Sequence, residues 1–137
     1  MGACRVSERA FQRQVMDLAK LRGWQVRHMH DSRRQIRPGV FVGDKDAAGL
    51  PDLLLWHERY GVVFAELKAE KGRLRAAQTL VLYSLQRAGA RVYVWRPSDL
   101  TEIARVLAGQ AVPAPPLAAP LRRGGAGTTP TPKRRTA

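Results

Sequence analysis

A chain of 137 residues and 15.2 kDa has room for one domain around one core, which excludes a two-domain enzyme. Its 24 Lys and Arg against 11 Asp and Glu leave a formal charge of +13, a field that draws polyanions and weakens with salt; nucleic acid is the natural partner, although an anionic membrane or an acidic protein would satisfy the same arithmetic. No apolar run approaches the roughly 20 residues that span a bilayer, the N-terminus lacks the apolar centre of a signal peptide, and the single Cys4 excludes an internal disulfide and a thiolate zinc cage, so a soluble intracellular protein is expected.

In chain order, Ser7 can cap a first helix whose apolar positions Phe11, Val15, Leu18 and Ala19 follow three-and-four spacing and which stops near Gly23. Residues 24–30 alternate, with Trp24, Val26 and His28 set against Gln25, Arg27 and Met29, and predict a strand. A long loop rich in Arg and Gly follows. Residues 51–56 and 61–68 are apolar and rich in Leu, Val and aromatics, with a polar break at His57-Glu58-Arg59 suited to a hairpin turn. Residues 74–88 place Ala77, Val81, Ser84, Leu85 and Ala88 on one side and end at Gly89, which reads as an amphipathic helix. Residues 91–95 form a strand, and Ser98 caps a last helix with Leu100, Ile103, Ala104 and Leu107 on one face. The predicted order is α-β-β-β-α-β-α, an α/β fold occupying residues 1–108. From Gly109 to Ala137 the composition turns to Pro, Ala, Gly and Thr with five basic and no acidic residues. Too little apolar surface is present there to offset the entropy of ordering, so residues 109–137 are expected to be a disordered basic tail, either a solubilising extension or an arm that holds DNA. Without it the remaining charge is still +8.

The chemistry concentrates in residues 49–68. Pro51-Asp52 opens one strand and Glu66-Leu67-Lys68 closes the next, in stretches otherwise as apolar as a protein interior. Side chains alternate along a strand, so Glu66 and Lys68 project to the same side, about 7 Å apart along the strand axis. If the two strands pair through the turn at residues 57–59, Asp52 comes close to Glu66. Two adjacent carboxylates repel unless a cation lies between them, and a hard divalent ion such as Mg²⁺, which takes carboxylates, waters and phosphate oxygens, resolves that repulsion. An ordinary strand-end ion pair between Lys68 and Glu66 is the competing explanation. Glu8 lies three and seven residues before Phe11 and Val15, on or beside the buried stripe of the first helix, from which it can point at the sheet; a first-turn acid favoured by the helix dipole explains it equally well. Gln78, one turn into the second helix, is by itself best explained as a surface amide.

These residues in this order, Glu8 on an opening helix, Gly49-x-Pro51-Asp52, Glu66-x-Lys68, Gln78 on the following helix and Gly89-x-x-Val92-x-Val94, resemble the VRR-Nuc branch of the PD-(D/E)XK nucleases. The resemblance runs from Ser7 to about Leu107. It implies a restriction-endonuclease-like core with a central mixed sheet flanked by helices, and a DNA nuclease that depends on Mg²⁺ or Mn²⁺. Among stand-alone members of phage and bacteria the implied form is a homodimer similar to Holliday junction resolvases, acting on branched DNA in the cytoplasm of a bacterial or phage-infected cell. It also implies roles: Glu8, Asp52 and Glu66, with the main-chain carbonyl of Leu67, as metal ligands; Lys68 orienting the attacking water and stabilising negative charge; Gln78 positioning water or Lys68; and products with 5′-phosphate and 3′-hydroxyl ends.

Other residues carry less. Arg33, Arg34 and Arg37 precede Pro51-Asp52 in the long loop, where they are either DNA phosphate contacts or a solvated charge run. His28 and His30 share a strand face, but an i, i+2 histidine pair is more often unremarkable, and they are left off the candidate site. Trp56 and Trp95 are assigned to the core. The rival to a nuclease is a basic DNA-binding module with no catalysis. The carboxylates argue against it, since acidic groups facing DNA weaken binding unless a metal intervenes.

Overall fold

The computed structural model describes residues 5–29, 34–38, 40–42 and 48–121, with the backbone alone at 34–37 and 40–42. Helix α1 spans Glu8–Leu21, followed by strands β1 (Gln25–His28), β2 (Arg34–Arg37), β3 (Val40–Val42), β4 (Leu53–His57) and β5 (Gly61–Leu67), helix α2 (Ala76–Arg87), strand β6 (Arg91–Trp95), a short 3₁₀ turn (Pro97–Asp99) and helix α3 (Leu100–Leu107). Four strands form one mixed sheet in the order β1-β4-β5-β6, in which β5 and β6 are parallel and the other neighbours antiparallel. The α/β class and the α-β-β-β-α-β-α order of the main fold are those expected. The loop after β1 departs from expectation, because β2 and β3 pair in a separate two-stranded antiparallel sheet with an irregularity between Gln35 and Arg37. The turn dipeptide Pro38-Gly39, between two short runs containing Ile36 and Val40-Phe41-Val42, was the signal for it.

Local chemistry sets the ends of α1. The Ser7 hydroxyl accepts the Ala10 N–H at 3.1 Å, satisfying one donor of the first turn. At the other end Gly23 takes φ +83°, its N–H reaches the Lys20 carbonyl, and the Trp24 N–H reaches back to the Ala19 carbonyl at 3.0 Å, a closure that favours glycine at the left-handed position. The Trp24 indole then donates to the Leu107 carbonyl at 2.9 Å, joining the start of β1 to the end of α3.

One face of the sheet carries the core. Leu53 and Leu55 of β4, Val63, Ala65 and Leu67 of β5 and Tyr93 and Trp95 of β6 are buried against Phe11, Val15 and Ala19 of α1 and Ile103, Val106 and Leu107 of α3. Trp95 is core as expected, whereas Trp56 is half-buried with the Arg27 guanidinium 5.4 Å from its ring centre. The opposite face is covered by α2, which packs on β6 and buries Leu82 and Gln78. Ser98 does not cap α3. It lies in the 3₁₀ turn, which Asp99 closes by accepting the Arg96 N–H at 2.8 Å, and the Ser98 hydroxyl turns to Glu70 at 2.6 Å.

After α3, residues 110–121 have no regular secondary structure but lie on the domain: the Tyr93 hydroxyl donates to the Val112 carbonyl, Val112 and Ala114 pack on the core, and the Gln86 amide bonds Pro115 and Leu117. Packing thus continues past Ala108, and the rest of the expected tail, residues 122–137, lies outside the described residues. Among the described residues no helix is long and apolar enough to cross a membrane.

Candidate active site

Register brings Asp52 and Glu66 together. The β4–β5 ladder pairs Leu53 with Ala65, and one step beyond it Asp52 stands opposite Glu66, so both side chains leave the same face of the sheet. Asp52 is half-buried, and its Oδ2 accepts the Leu67 N–H at 2.8 Å, which holds the carboxylate against the last residue of β5. Its own carbonyl accepts the Met29 N–H at 2.7 Å, tying the same residue to the end of β1.

Glu66 is 1% exposed and Lys68 8% exposed. Charges removed from water to this extent require partners. The Lys68 ammonium lies 3.2 Å from Glu66 Oε1, and the Gln78 amide donates to the same oxygen at 2.5 Å. The orientation of that amide is set at its other end, where Gln78 Oε1 accepts the Arg75 N–H at 2.9 Å as part of the first-turn closure of α2. With its oxygen taken by the main chain, Gln78 can only present NH₂ to Glu66. The main chain of Lys68 is fixed as well, its N–H donating to the Trp95 carbonyl at 3.0 Å. Gly49, three residues before Asp52, packs on α2 so closely that a Cβ there would stand 2.4 Å from the Ala77 carbonyl oxygen.

Asp52, Glu66, Lys68 and Gln78 therefore converge, and Gln78 is a buried link and not a surface amide. Glu8 does not join them. It is exposed on the first turn of α1, because the helix begins a full turn before Phe11, its first buried residue, and among the described residues no three His, Cys, Asp or Glu side chains gather closely enough to hold a metal ion. His28 is exposed at the end of β1, opposite Leu53. His30 and Arg33 lie outside the described residues, and Arg34 and Arg37 fall in β2, where the backbone alone is described.

The donors at hand are hard oxygens, two carboxylates on facing strands with the Leu67 main chain between them. That set suits Mg²⁺ or Mn²⁺ and is wrong for a soft metal. Two residues that the sequence reading passed over complete the surroundings. Arg96 donates from one guanidinium nitrogen to the carbonyls of Ala69 at 2.8 Å and Gly72 at 2.7 Å. Glu70 accepts both the hydroxyl and the N–H of Ser98, and these bonds, in that order, with the charge of Arg96 in support, hold its carboxyl below its ordinary pKa against the opposing effect of desolvation. Both contacts span more than twenty residues, and no local pattern announces them.

The family model for the VRR-NUC domain matches residues 12–99 of the chain. No curated protein and no solved structure matches it.

Proposed function

Because the chain belongs to the VRR-NUC domain family, whose function is DNA processing of the nuclease type, we propose that it hydrolyses phosphodiester bonds in DNA with Mg²⁺ or Mn²⁺ held at the end of β5. The observation that carries this reading is the facing pair Asp52 and Glu66 with the Lys68 ammonium 3.2 Å from Glu66. A cation bound there supplies a Lewis acid that activates water and offsets the charge growing on the scissile phosphate.

The chain's own residues do the rest. Asp52 and Glu66, with the Leu67 carbonyl, are the proposed ligands, and Glu8 from α1 is a weaker candidate because it stands exposed on its helix. The Lys68 Nζ lies 3.2 Å from Glu66 Oε1; with that carboxylate engaged as a ligand, it would be placed to donate to the attacking water or to a non-bridging phosphate oxygen. Gln78 holds Glu66 Oε1 in one orientation through an amide that Arg75 has already fixed, which is pre-organisation of the kind that lowers the barrier. The strong positive charge gathers the DNA.

The proposed substrate is branched or structured DNA, cut by a homodimer so that two strands are cleaved together, as in a Holliday junction resolvase. Support for this finer reading is the sequence resemblance to the stand-alone members of the family. The test is to offer the purified protein a four-way junction, a flap and plain duplex, each with Mg²⁺, Mn²⁺ or EDTA. Cleavage of the junction with either metal and none with EDTA is expected. Cleavage that survives chelation or Glu66→Ala would overturn the mechanism, and binding without cleavage of any substrate would make the chain a DNA-binding module.

A further inference from the structure

We infer that Arg96 is a positioning residue for Lys68, acting through the loop between β5 and α2; this deepens the nuclease reading and rests on it. Three observations connect the two side chains. The Arg96 guanidinium is half-buried and donates to the Ala69 and Gly72 carbonyls at 2.8 and 2.7 Å, the first and last residues of a tight turn that the Gly72 N–H closes onto the Ala69 carbonyl at 2.9 Å. That turn starts at the residue after Lys68 and folds back on its stem, so that a Cβ on Gly72 would lie 3.6 Å from Lys68 Cδ. Arg96 also directly follows Trp95, whose carbonyl holds the Lys68 N–H at 3.0 Å. The end of β6 therefore grips Lys68 twice, by its backbone through Trp95 and by its stem through the turn that Arg96 ties down.

A Lys side chain has four rotatable carbons and a large rotamer entropy. The ion pair with Glu66 holds only its tip, and a catalytic cation at Glu66 would compete for that carboxylate. The wall formed by the Ala69–Gly72 turn holds the stem whatever becomes of the tip. One guanidinium nitrogen donates to both carbonyls and is held in a rigid plane; an ammonium has donors enough for both, but on a more flexible stem it secures the turn less firmly. The neighbouring contact of Ser98 with Glu70 ties the same turn to the 3₁₀ turn, but through an exposed carboxylate that does not touch Lys68.

The test has two arms. In the first, acetylation rates of individual lysines in the intact protein without metal are followed by mass spectrometry. Lys68, buried in the wild type, should react more slowly than exposed Lys20 and Lys71. In Arg96→Ala its rate should rise at least severalfold with Lys20 unchanged, and in Arg96→Lys it should fall between the two. In the second, junction cleavage by Arg96→Ala should lose about 10- to 100-fold in kcat, the scale of a misplaced catalytic group, with KM nearly unchanged, while Ser98→Ala stays close to wild type. Unchanged Lys68 labelling in Arg96→Ala, a loss confined to KM, or an equal loss in Ser98→Ala would each overturn the inference. Should Arg96→Ala fail to fold, Arg96→Lys read in both arms decides. If the wild type cleaves nothing, the nuclease reading fails by itself and the labelling arm still judges the grip on Lys68.

Discussion

The two faces of the central sheet solve opposite problems. Towards α1 and α3 the strands present Leu53, Leu55, Val63, Ala65 and Leu67, all apolar and at most 1% exposed; such a face is held by area and close packing, and many interchangeable contacts share the load. Towards α2, at the ends of the same strands, Asp52, Glu66 and Lys68 are held by individually specified bonds to Leu67, Gln78 and one another. A face of the first kind tolerates substitution gradually. The second kind fails when either charge of the Glu66–Lys68 pair is lost, because the remaining charge stays buried without its counterpart. Strands of five and seven residues carry both, so the charged cluster sits at the strand ends, where the apolar alternation stops.

The largest expected effect separates catalysis from stability on the polar side. Asp52→Asn keeps an oxygen to accept the Leu67 N–H but removes the charge, so junction cleavage should fall by about 10²- to 10³-fold while the melting curve hardly moves; a joint loss of both would assign Asp52 to structure alone. Next comes Glu66→Ala, which strands the Lys68 ammonium and should destabilise by about 3–5 kcal/mol in urea unfolding. The double variant Glu66→Leu, Lys68→Met should recover that stability and remain inactive, and failure to recover would mean that the pair is not an isolated charge problem. On the apolar side Leu55→Ala should cost about 2–5 kcal/mol, with the folded fraction cleaving at the wild-type rate per molecule. A slower rate in that folded fraction would show that the two faces are coupled.

The smallest effect concerns pH. Folding lowers the pKa of Glu70 through its bonds to Ser98, so the contact contributes stability above the ordinary Glu value of 4.5 and loses it as pH falls through the lowered folded value. The group is fully exposed and the increment small. Wild type and Glu70→Gln should therefore melt further apart at pH 6 than at pH 3, and a difference that grows on acidification would reverse the assignment.

What the sequence disclosed follows the same division. Periodicity and glycine stops revealed α1, the paired strands and α2, because the apolar face obeys repeat rules that depend only on local spacing. Asp52, Glu66 and Lys68 stood out as charges in runs that were otherwise interior in character, and the hairpin register then brought the carboxylates face to face. Spacing alone left Glu8 between two readings: a residue three and seven positions before buried ones lies on their face, but only the extent of the partner layer decides whether that face is covered, and Glu8 stands exposed on the first turn of α1. Ser98 looked like a cap because caps are local, yet its partner is 28 positions away. The Arg96 contacts, at separations of 27 and 24 residues, leave no periodic trace at all.

Gly49 shows how little clearance separates the two halves of the site. The turn leading to Asp52 and the first turn of the helix bearing Gln78 touch with only a hydrogen atom between them, since a methyl carbon in its place would overlap the Ala77 oxygen at 2.4 Å. Gly49→Ala would act as a wedge, parting the carboxylate from the amide without altering the formal charge of any residue in the protein.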